Sequence, residues 1–149
     1  MVQNPPEGMQ RVIPYLVYED APAAIAFLTA AFGFEERYRF PAADGRVGHA
    51  ELGYGDSVLM LASTFEEMGH ASPRDLPAHH GSVHCYVDDV DAHCERAWAV
   101  GATITAEPDD KFYGDRVYTA EDREGHRWSF ATRVRDVRPE ELSTPEAEW

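Results

Sequence analysis

The stretch that decides the fold of this 149-residue chain is Lys111–Thr132, which reads KFYGDRVYTAEDREGHRWSFAT. Its middle, residues 122–125, carries the Asp and Gly of a tight turn between two strand-like segments. After the turn, Trp128 and Phe130 alternate with small and polar residues. Because successive strand residues point to opposite faces, the pattern predicts a hairpin with an aromatic core face and a second face, around Ser129, that contacts something other than core.

An Asp–helix–Gly pattern occurs twice upstream of this hairpin. The segments YLVYEDAPAAIAFLTAAFG and VHCYVDDVDAHCERAWAVG share the order strand, Asp, helix and Gly, and 13 positions separate Asp20 from Gly33 and Asp88 from Gly101. Asp20 in the first segment, and Asp88 or Asp89 in the second, can cap the helix N-terminus, and each Gly can end it in a left-handed conformation. The repeat predicts two βαβββ units in one domain.

The remaining strands and connections follow from local composition. The first unit has strand-like residues 11–18, 34–40, 47–53 and 57–62, and the second has 82–87, 103–105, 116–120 and the segment after the turn. We therefore divide the chain into a flexible leader (1–10), a first module (11–62), a linker loop (63–80), a second module (81–134) and an acidic C-terminal tail (135–149).

Composition narrows the class of protein. The formal net charge is −14, with 27 acidic residues against 13 Lys and Arg, which argues against nucleic-acid and anionic-membrane partners. The acidic excess either serves general solubility or favours a cationic ligand. No apolar run approaches 18 residues, and the N-terminus lacks the pattern of a signal peptide. The two cysteines, Cys85 and Cys94, form neither a disulfide framework nor a metal-binding motif. We expect a cytoplasmic protein.

Several motifs together resemble one known family. With the repeat, they are similar to the vicinal oxygen chelate superfamily (glyoxalase I, bleomycin-resistance proteins and extradiol dioxygenases), and within it to the PhnB-like, glyoxalase/bleomycin-resistance type. One departure is Arg123, where the family usually has Pro. The resemblance spans about residues 11–142, and its motifs are HAELGYGDSVLML (49–61), VDDVDAHCERAWAVGA (87–102), FYGDR (112–116), DREGHRW (122–128) and RDVRPEEL (135–142).

The resemblance implies an α+β fold in which paired βαβββ modules form an incomplete barrel around a pocket, and it implies a homodimer. In metal-dependent relatives, strand positions in both modules supply His, Gln or Glu ligands. Those positions fall here on Ile13 or Pro14, Met60, Ser82 and Ser129, and none is a competent imidazole or carboxylate ligand. We therefore predict the fold without the metal, and no cofactor.

The fifth strand offers the first candidate binding residues. Alternation places Ser82, His84 and Tyr86 on the face away from the helix. His84 is the strongest single candidate because imidazole donates, accepts and titrates near neutral pH. The alternative is a hydrogen-bonded structural histidine. His49 and Glu51 alternate with core-like residues, so they either line the pocket or face solvent on a half-exposed strand.

Other candidates lie on loops and on the seventh strand. Arg116 either clamps a ligand carboxylate or phosphate or forms a structural network with Asp115. Tyr113 can cover the pocket as a loop aromatic. The loop histidines (His70, His79 and His80) lack preorganised metal-ligand spacing and are expected to be solvated, whereas Cys94 is expected in the core.

Two functions follow from this reading. The first is a protein that binds a small organic molecule, cationic in keeping with the charge, in a metal-free pocket and sequesters a toxic or antibiotic compound. The alternative is a lyase or isomerase of the glyoxalase kind, with His84 or Glu51 as base and a non-standard or displaced metal site. The candidate ligand-binding residues are His84, Tyr86, Ser82, Ser129, Arg116, Met60, Tyr113, His49 and Glu51.

Overall fold

The computed structural model describes residues 2–142 and contains two four-stranded sheets, each with one helix. The first module consists of β1 (Tyr15–Tyr18), α1 (Ala21–Phe27), β2 (Glu35–Pro41), β3 (Val47–Tyr54) and β4 (Ser57–Ser63). The second consists of β5 (Val83–Tyr86), α2 (Val90–Val100), β6 (Thr103–Asp110), β7 (Asp115–Glu121) and β8 (Arg127–Arg133).

The sheet topology confirms the predicted pair of βαβββ modules. The strand orders are β1-β4-β3-β2 and β5-β8-β7-β6, with one parallel pair in each sheet, β1 with β4 and β5 with β8. Across residues 2–142 no strand of one sheet pairs with a strand of the other, so the two sheets of one chain do not close into a barrel.

The helices begin and end at the predicted residues. Asp20 and Asp89 accept hydrogen bonds from the N–H groups of Ala23 (3.0 Å) and Ala92 (3.1 Å) and so cap α1 and α2. After α1 the chain continues as a π-helical turn, Leu28–Phe32, and stops at Gly33, whose φ of 82° is in the left-handed region. The sequence left both Asp88 and Asp89 as possible caps of α2, and in the structure the cap is Asp89.

One aromatic core joins the modules. Trp128 and Phe130 of β8 are buried, as predicted for this face, and their rings contact Phe32 at centroid distances of 5.2 and 4.8 Å. Phe34, which precedes β2, also contacts Trp128, at 5.6 Å. Since Phe32 and Phe34 belong to the first module and β8 to the second, the faces of both sheets that carry the helices share this core.

Two side chains of α2 tie it to the end of the first module's helix. His93 is buried, with Nε2 2.8 Å from the Phe32 carbonyl oxygen and Nδ1 2.6 Å from the Tyr118 hydroxyl. Arg96 donates to the carbonyl oxygens of Thr29 (3.1 Å) and Ala30 (2.9 Å). These bonds satisfy carbonyls that the helix end leaves without intrahelical partners.

The turn between β7 and β8 holds the first module through Asp122. This buried carboxylate accepts from the Tyr18 hydroxyl (2.7 Å) in β1 and from Trp128 Nε1 (3.1 Å). It also accepts from the backbone N–H groups of Glu124 (3.0 Å) and His126 (3.1 Å), which fixes the turn itself. Burial, together with the neighbouring carboxylate, raises the pKa of Tyr18 well above its ordinary value.

Glu124, in the same turn, reaches the start of α1. Its carboxylate accepts from the backbone N–H groups of Glu19 (2.8 Å) and Asp20 (3.0 Å) and from the Ser72 hydroxyl (2.8 Å). His126 contacts the same region, with Nε2 2.9 Å from the Val17 carbonyl oxygen. One turn of the second module therefore satisfies polar groups of β1, α1 and the linker loop.

Several boundaries differ from the predicted ones. The first strand starts at Tyr15 rather than residue 11, and β6 runs to Asp110 rather than ending near residue 105. The linker contains two short 3₁₀ helices, Glu66–Met68 and Pro73–Asp75. Much of the predicted tail, residues 143–149, lies outside the described residues. Within the described part, no helix is long and apolar enough to cross a membrane.

Candidate ligand-binding faces

Each sheet has one face on the aromatic core and an opposite face that the helices do not cover. On the first sheet, register pairs Tyr38 with Glu51, Phe40 with His49, and Met60 with both Glu51 and Tyr15. Directly paired residues share a face, so these side chains form one surface. We call this surface the first open face, and its members are Tyr15, Tyr38, Phe40, His49, Glu51 and Met60.

Three polar groups of the first open face form a hydrogen-bonded chain. The Tyr15 hydroxyl lies 2.9 Å from His49 Nδ1, and His49 Nε2 lies 3.5 Å from Glu51 Oε1. His49 and Glu51 are partly buried, with exposed side-chain fractions of 30% and 20%. Partial burial raises the pKa of the Tyr15 phenol, so the neutral hydroxyl is favoured.

The second sheet carries the matching surface. His84 Nδ1 lies 2.5 Å from the Ser129 hydroxyl, and the Tyr86 hydroxyl donates to Asp115 at 2.7 Å. The hydroxyls of Thr105 and Thr119 lie 2.7 Å apart. The hydrogen bond to Asp115, followed by burial, raises the pKa of Tyr86. We call this surface the second open face; its members are His84, Tyr86, Thr105, Asp115, Thr119 and Ser129.

The structure therefore brings six of the nine predicted site residues onto two separate faces, and leaves three elsewhere. Arg116 lies on the helix side of β7, where it binds Asp91 (2.9 Å) and Asp110 (3.1 Å). The alternative network with Asp115 does not form, because Asp115 pairs instead with Arg133 at 3.0 Å.

The other two displaced candidates lie near the second open face. Ser82 precedes β5, whose first residue is Val83, and its side chain is exposed. Tyr113 lies in the turn before β7, where its carbonyl oxygen accepts from Arg133 at 2.9 Å and its ring contacts Phe112 at 5.3 Å. Tyr113 thus borders the end of the face that contains Tyr86.

Strand register shows which residues lie opposite Met60 and Ser129, two of the positions that the resemblance assigns to metal ligands. In the two parallel pairs, Tyr15 lies opposite Met60 and His84 lies opposite Ser129. Ile13, Pro14 and Ser82, the positions inferred from the resemblance, lie before β1 and β5. Tyr15, Met60, His84 and Ser129 together offer one imidazole, a phenol, a thioether and a hydroxyl, which does not fit Zn²⁺ or another transition metal that needs several N or carboxylate donors.

The described part of the chain contains no other cluster of metal-binding side chains. Within residues 2–142, no three His, Cys, Asp or Glu side chains of one chain converge on a common point. His79 and His70 hold the linker loop instead: His79 Nε2 lies 2.6 Å from the Gly125 carbonyl oxygen, and His70 Nδ1 accepts from the Phe65 N–H at 3.4 Å. Cys94 is buried in the core, as predicted.

Exposed aromatic side chains distinguish both open faces. Tyr15, Tyr38, Phe40 and Tyr86 are 49%, 50%, 59% and 57% exposed, although large apolar groups are usually buried. The sequence reading missed the first three. Their signal was the alternation of Tyr38 and Phe40 in β2, which any half-buried strand shows equally well.

Two cavities lie elsewhere and do not involve these faces. A cavity of about 230 Å³ lies between α1 and the 122–124 turn, and one of about 710 Å³ lies between α2 and β6, where Arg116 forms part of its wall. The aromatic side chains of the open faces are about half exposed in a single chain.

Comparison with known proteins agrees with this architecture. The sequence model of the Glyoxalase/Bleomycin resistance protein/Dioxygenase superfamily matches residues 9–130. An uncharacterized protein of Mycobacterium tuberculosis, Rv0887c, is 36% identical over 132 residues, covering 87% of this chain and 78% of that protein. The crystal structure of TioX from Micromonospora sp. ML1 is 33% identical, with a TM-score of 0.67 over 84% of this chain and 99% of that one.

More distant structures share the fold. A fosfomycin resistance protein, FosX, from Listeria monocytogenes superposes with a TM-score of 0.62 at 14% identity, over 83% of this chain and 90% of that one. The family match covers most of the chain, and the strand orders of both modules agree with it. The chain belongs to the Glyoxalase/Bleomycin resistance protein/Dioxygenase superfamily.

Proposed function

We propose that the protein is a cytoplasmic homodimer that binds a small organic molecule between the first open face of one protomer and the second open face of its partner. The observation that carries this proposal is the exposure of four aromatic side chains on these two faces. Contiguous exposed apolar surface in a soluble protein marks an interaction site. A second copy that covers both faces would also convert them into two equivalent, closed pockets.

The chemistry of the two faces favours a flat ligand that carries positive charge. Tyr38 and Phe40 offer aromatic rings for stacking and for cation–π contacts, and Glu51 lies directly opposite Tyr38. The opposing face would contribute hydrogen-bonding groups from His84 and Ser129. The net charge of −14 would favour the approach of such a ligand.

Sequestration of a toxic or antibiotic compound is the role that best suits this site. The family includes bleomycin resistance proteins, and the FYGDR and DREGHRW motifs favour its PhnB-like branch. Tyr15, Met60, His84 and Ser129 do not suit a metal centre, so we expect binding without a metal-dependent step. Both cysteines are free thiols, which suits a reducing compartment.

Assembly and binding are tested together with a matched pair of variants. Light scattering should give twice the 16.7 kDa chain mass at micromolar concentration, and calorimetric titration with bleomycin should show saturable binding. Phe40→Ser should weaken both, because it removes an aromatic side chain from the first open face. Trp98→Ser should change neither, because Trp98 is 72% exposed but lies on α2. A monomer that binds no bleomycin and carries no co-purified molecule in native mass spectrometry would refute the proposal.

The alternative function is a lyase or isomerase of the glyoxalase kind. The contact between His49 and Glu51 favours it, since an imidazole next to a carboxylate can act as a general base. A displaced metal site would require His84 of the partner subunit to join these two residues. Turnover of a hemithioacetal by metal-loaded protein, lost in Glu51→Gln, would place this function first.

A further inference from the structure

We propose that Tyr15, His49 and Glu51 form a metal-independent triad in which Tyr15 is an activated phenol that captures electrophilic small molecules covalently. This inference deepens the proposed function and rests on it, because the triad lies on the first open face. It names the class of compound that would be sequestered: a molecule whose electrophilic centre carries a leaving group.

The order of the three groups defines the direction of proton transfer. An ionised carboxylate only accepts hydrogen bonds, so Glu51 places the proton of His49 on Nε2. Nδ1 then carries the lone pair, and the Tyr15 hydroxyl donates to it at 2.9 Å. A nucleophile bound to a base, which a third group orients in turn, is the arrangement that activates Ser and Cys nucleophiles elsewhere.

The covalent step balances without any other reagent. Tyr15 Oη attacks the electrophilic atom and forms a new O–X bond, while the leaving group departs with the electron pair of the bond that breaks. The phenol proton moves to His49 Nδ1, and the Glu51 carboxylate stabilises the resulting imidazolium. Because burial raises the pKa of Tyr15, the phenol is neutral near pH 7, so its reaction depends on this base.

Exposure and position make Tyr15 accessible to such a compound. Half of its surface is exposed, and it stands opposite Met60 on the first open face. The chain also supplies two comparison residues. Tyr38 has the same exposure on the same face, and Tyr86 has similar exposure on the other face but donates to a carboxylate instead of an imidazole.

The experiment uses 4-(2-aminoethyl)benzenesulfonyl fluoride, a cationic aryl electrophile whose fluoride is the leaving group. Peptide mapping at pH 7.5 measures labelling of all three tyrosines in one sample. Tyr15 should react at least about tenfold faster than Tyr38 and Tyr86, since a positioned general base contributes roughly 10²–10⁴-fold. His49→Phe should reduce Tyr15 labelling to the Tyr38 rate, and Glu51→Gln should reduce it by a smaller factor.

A pH series separates activation from simple positioning. In the wild type, Tyr15 should already be labelled at neutral pH, where its phenol is not ionised, whereas in His49→Phe labelling should follow ionisation of the phenol, whose pKa burial raises. An unchanged circular dichroism spectrum shows that a variant is folded. Equal rates for Tyr15 and Tyr38, or a Tyr15 rate that His49→Phe leaves unchanged, would overturn the inference.

The two proposals fail separately. If the protein is a dimer that binds bleomycin but Tyr15 is unreactive, only the proposed covalent step is refuted. If Tyr15 is reactive but the protein is a monomer that binds no ligand, only the proposed pocket between two protomers is refuted.

Discussion

Replacing Asp122 tests how the two modules are held together. In Asp122→Ala the Tyr18 hydroxyl and the Trp128 indole N–H lose their acceptor, and both residues are only 1% exposed, so water cannot replace it. Each buried, unsatisfied group costs about 1–3 kcal/mol, so we expect a loss of about 3–5 kcal/mol in the free energy of unfolding. For a chain of this size that corresponds to a fall in Tm of about 10 °C.

Urea unfolding followed by circular dichroism measures the loss, and a double-mutant cycle tests its cause. Tyr18→Phe should cost about 1–2 kcal/mol in the wild type but be neutral or stabilising in Asp122→Ala, where the hydroxyl is already unsatisfied. Asp89→Ala is the control, since it removes one exposed helix cap and should cost about 1 kcal/mol. Equal costs of Tyr18→Phe in both backgrounds would refute the reasoning.

Three further predictions concern the core, pH and metal content. Trp128→Ala should lower the free energy of unfolding by about 3–5 kcal/mol and Ser129→Ala by about 1 kcal/mol or less; equal melting temperatures would contradict the assigned faces. Burial lowers the pKa of His93, so the folded state resists protonation, and its contribution to stability should be complete above about pH 6.5 and decline as the pH falls below it. Unfolding at pH 7.5 and 5.5 should show a larger loss for the wild type than for His93→Gln, and equal losses would exclude this cause. Elemental analysis of tag-free protein should show no stoichiometric metal, whereas one equivalent per chain, lost in His84→Ala, would favour the lyase.

The fold could be predicted from the sequence because the patterns that specify its helices and strands involve residues close together in the chain. Capping residues such as Asp20, glycines such as Gly33, and the alternation around Trp128 each depend on a few neighbouring residues, and each predicted its element correctly. The π-helical turn after α1 was not predicted, because its residues continue the same helical spacing.

The candidate site could be predicted only in part, because the alternation of side chains along a strand repeats every two residues. Alternation assigns a residue to a face but does not fix its position along the strand. The resemblance pointed to Ile13 or Pro14 and to Ser82, whereas the residues that lie opposite Met60 and Ser129 are Tyr15 and His84.

The face on which Arg116 lies could not be predicted from the sequence for a related reason. Its strand contains adjacent apolar residues, Val117 and Tyr118, and both are buried. The sequence therefore does not show whether the even-numbered or the odd-numbered residues of the strand point toward the helix. The pairing of Arg116 with Asp91 and Asp110 also depends on how α2 packs, which local patterns do not determine.

The turn between β7 and β8 has a consequence for how such a repeat can diverge. In the first module the equivalent strands are joined by only two residues, Gly55 and Asp56, whereas the second module uses residues 122–126. The extra residues include Asp122 and Glu124, which bind the start of the other half. The two halves are therefore not interchangeable. A chimeric protein that joins this first half to the second half of another protein would need carboxylates at this turn, because without them the contacts between the two modules would be lost.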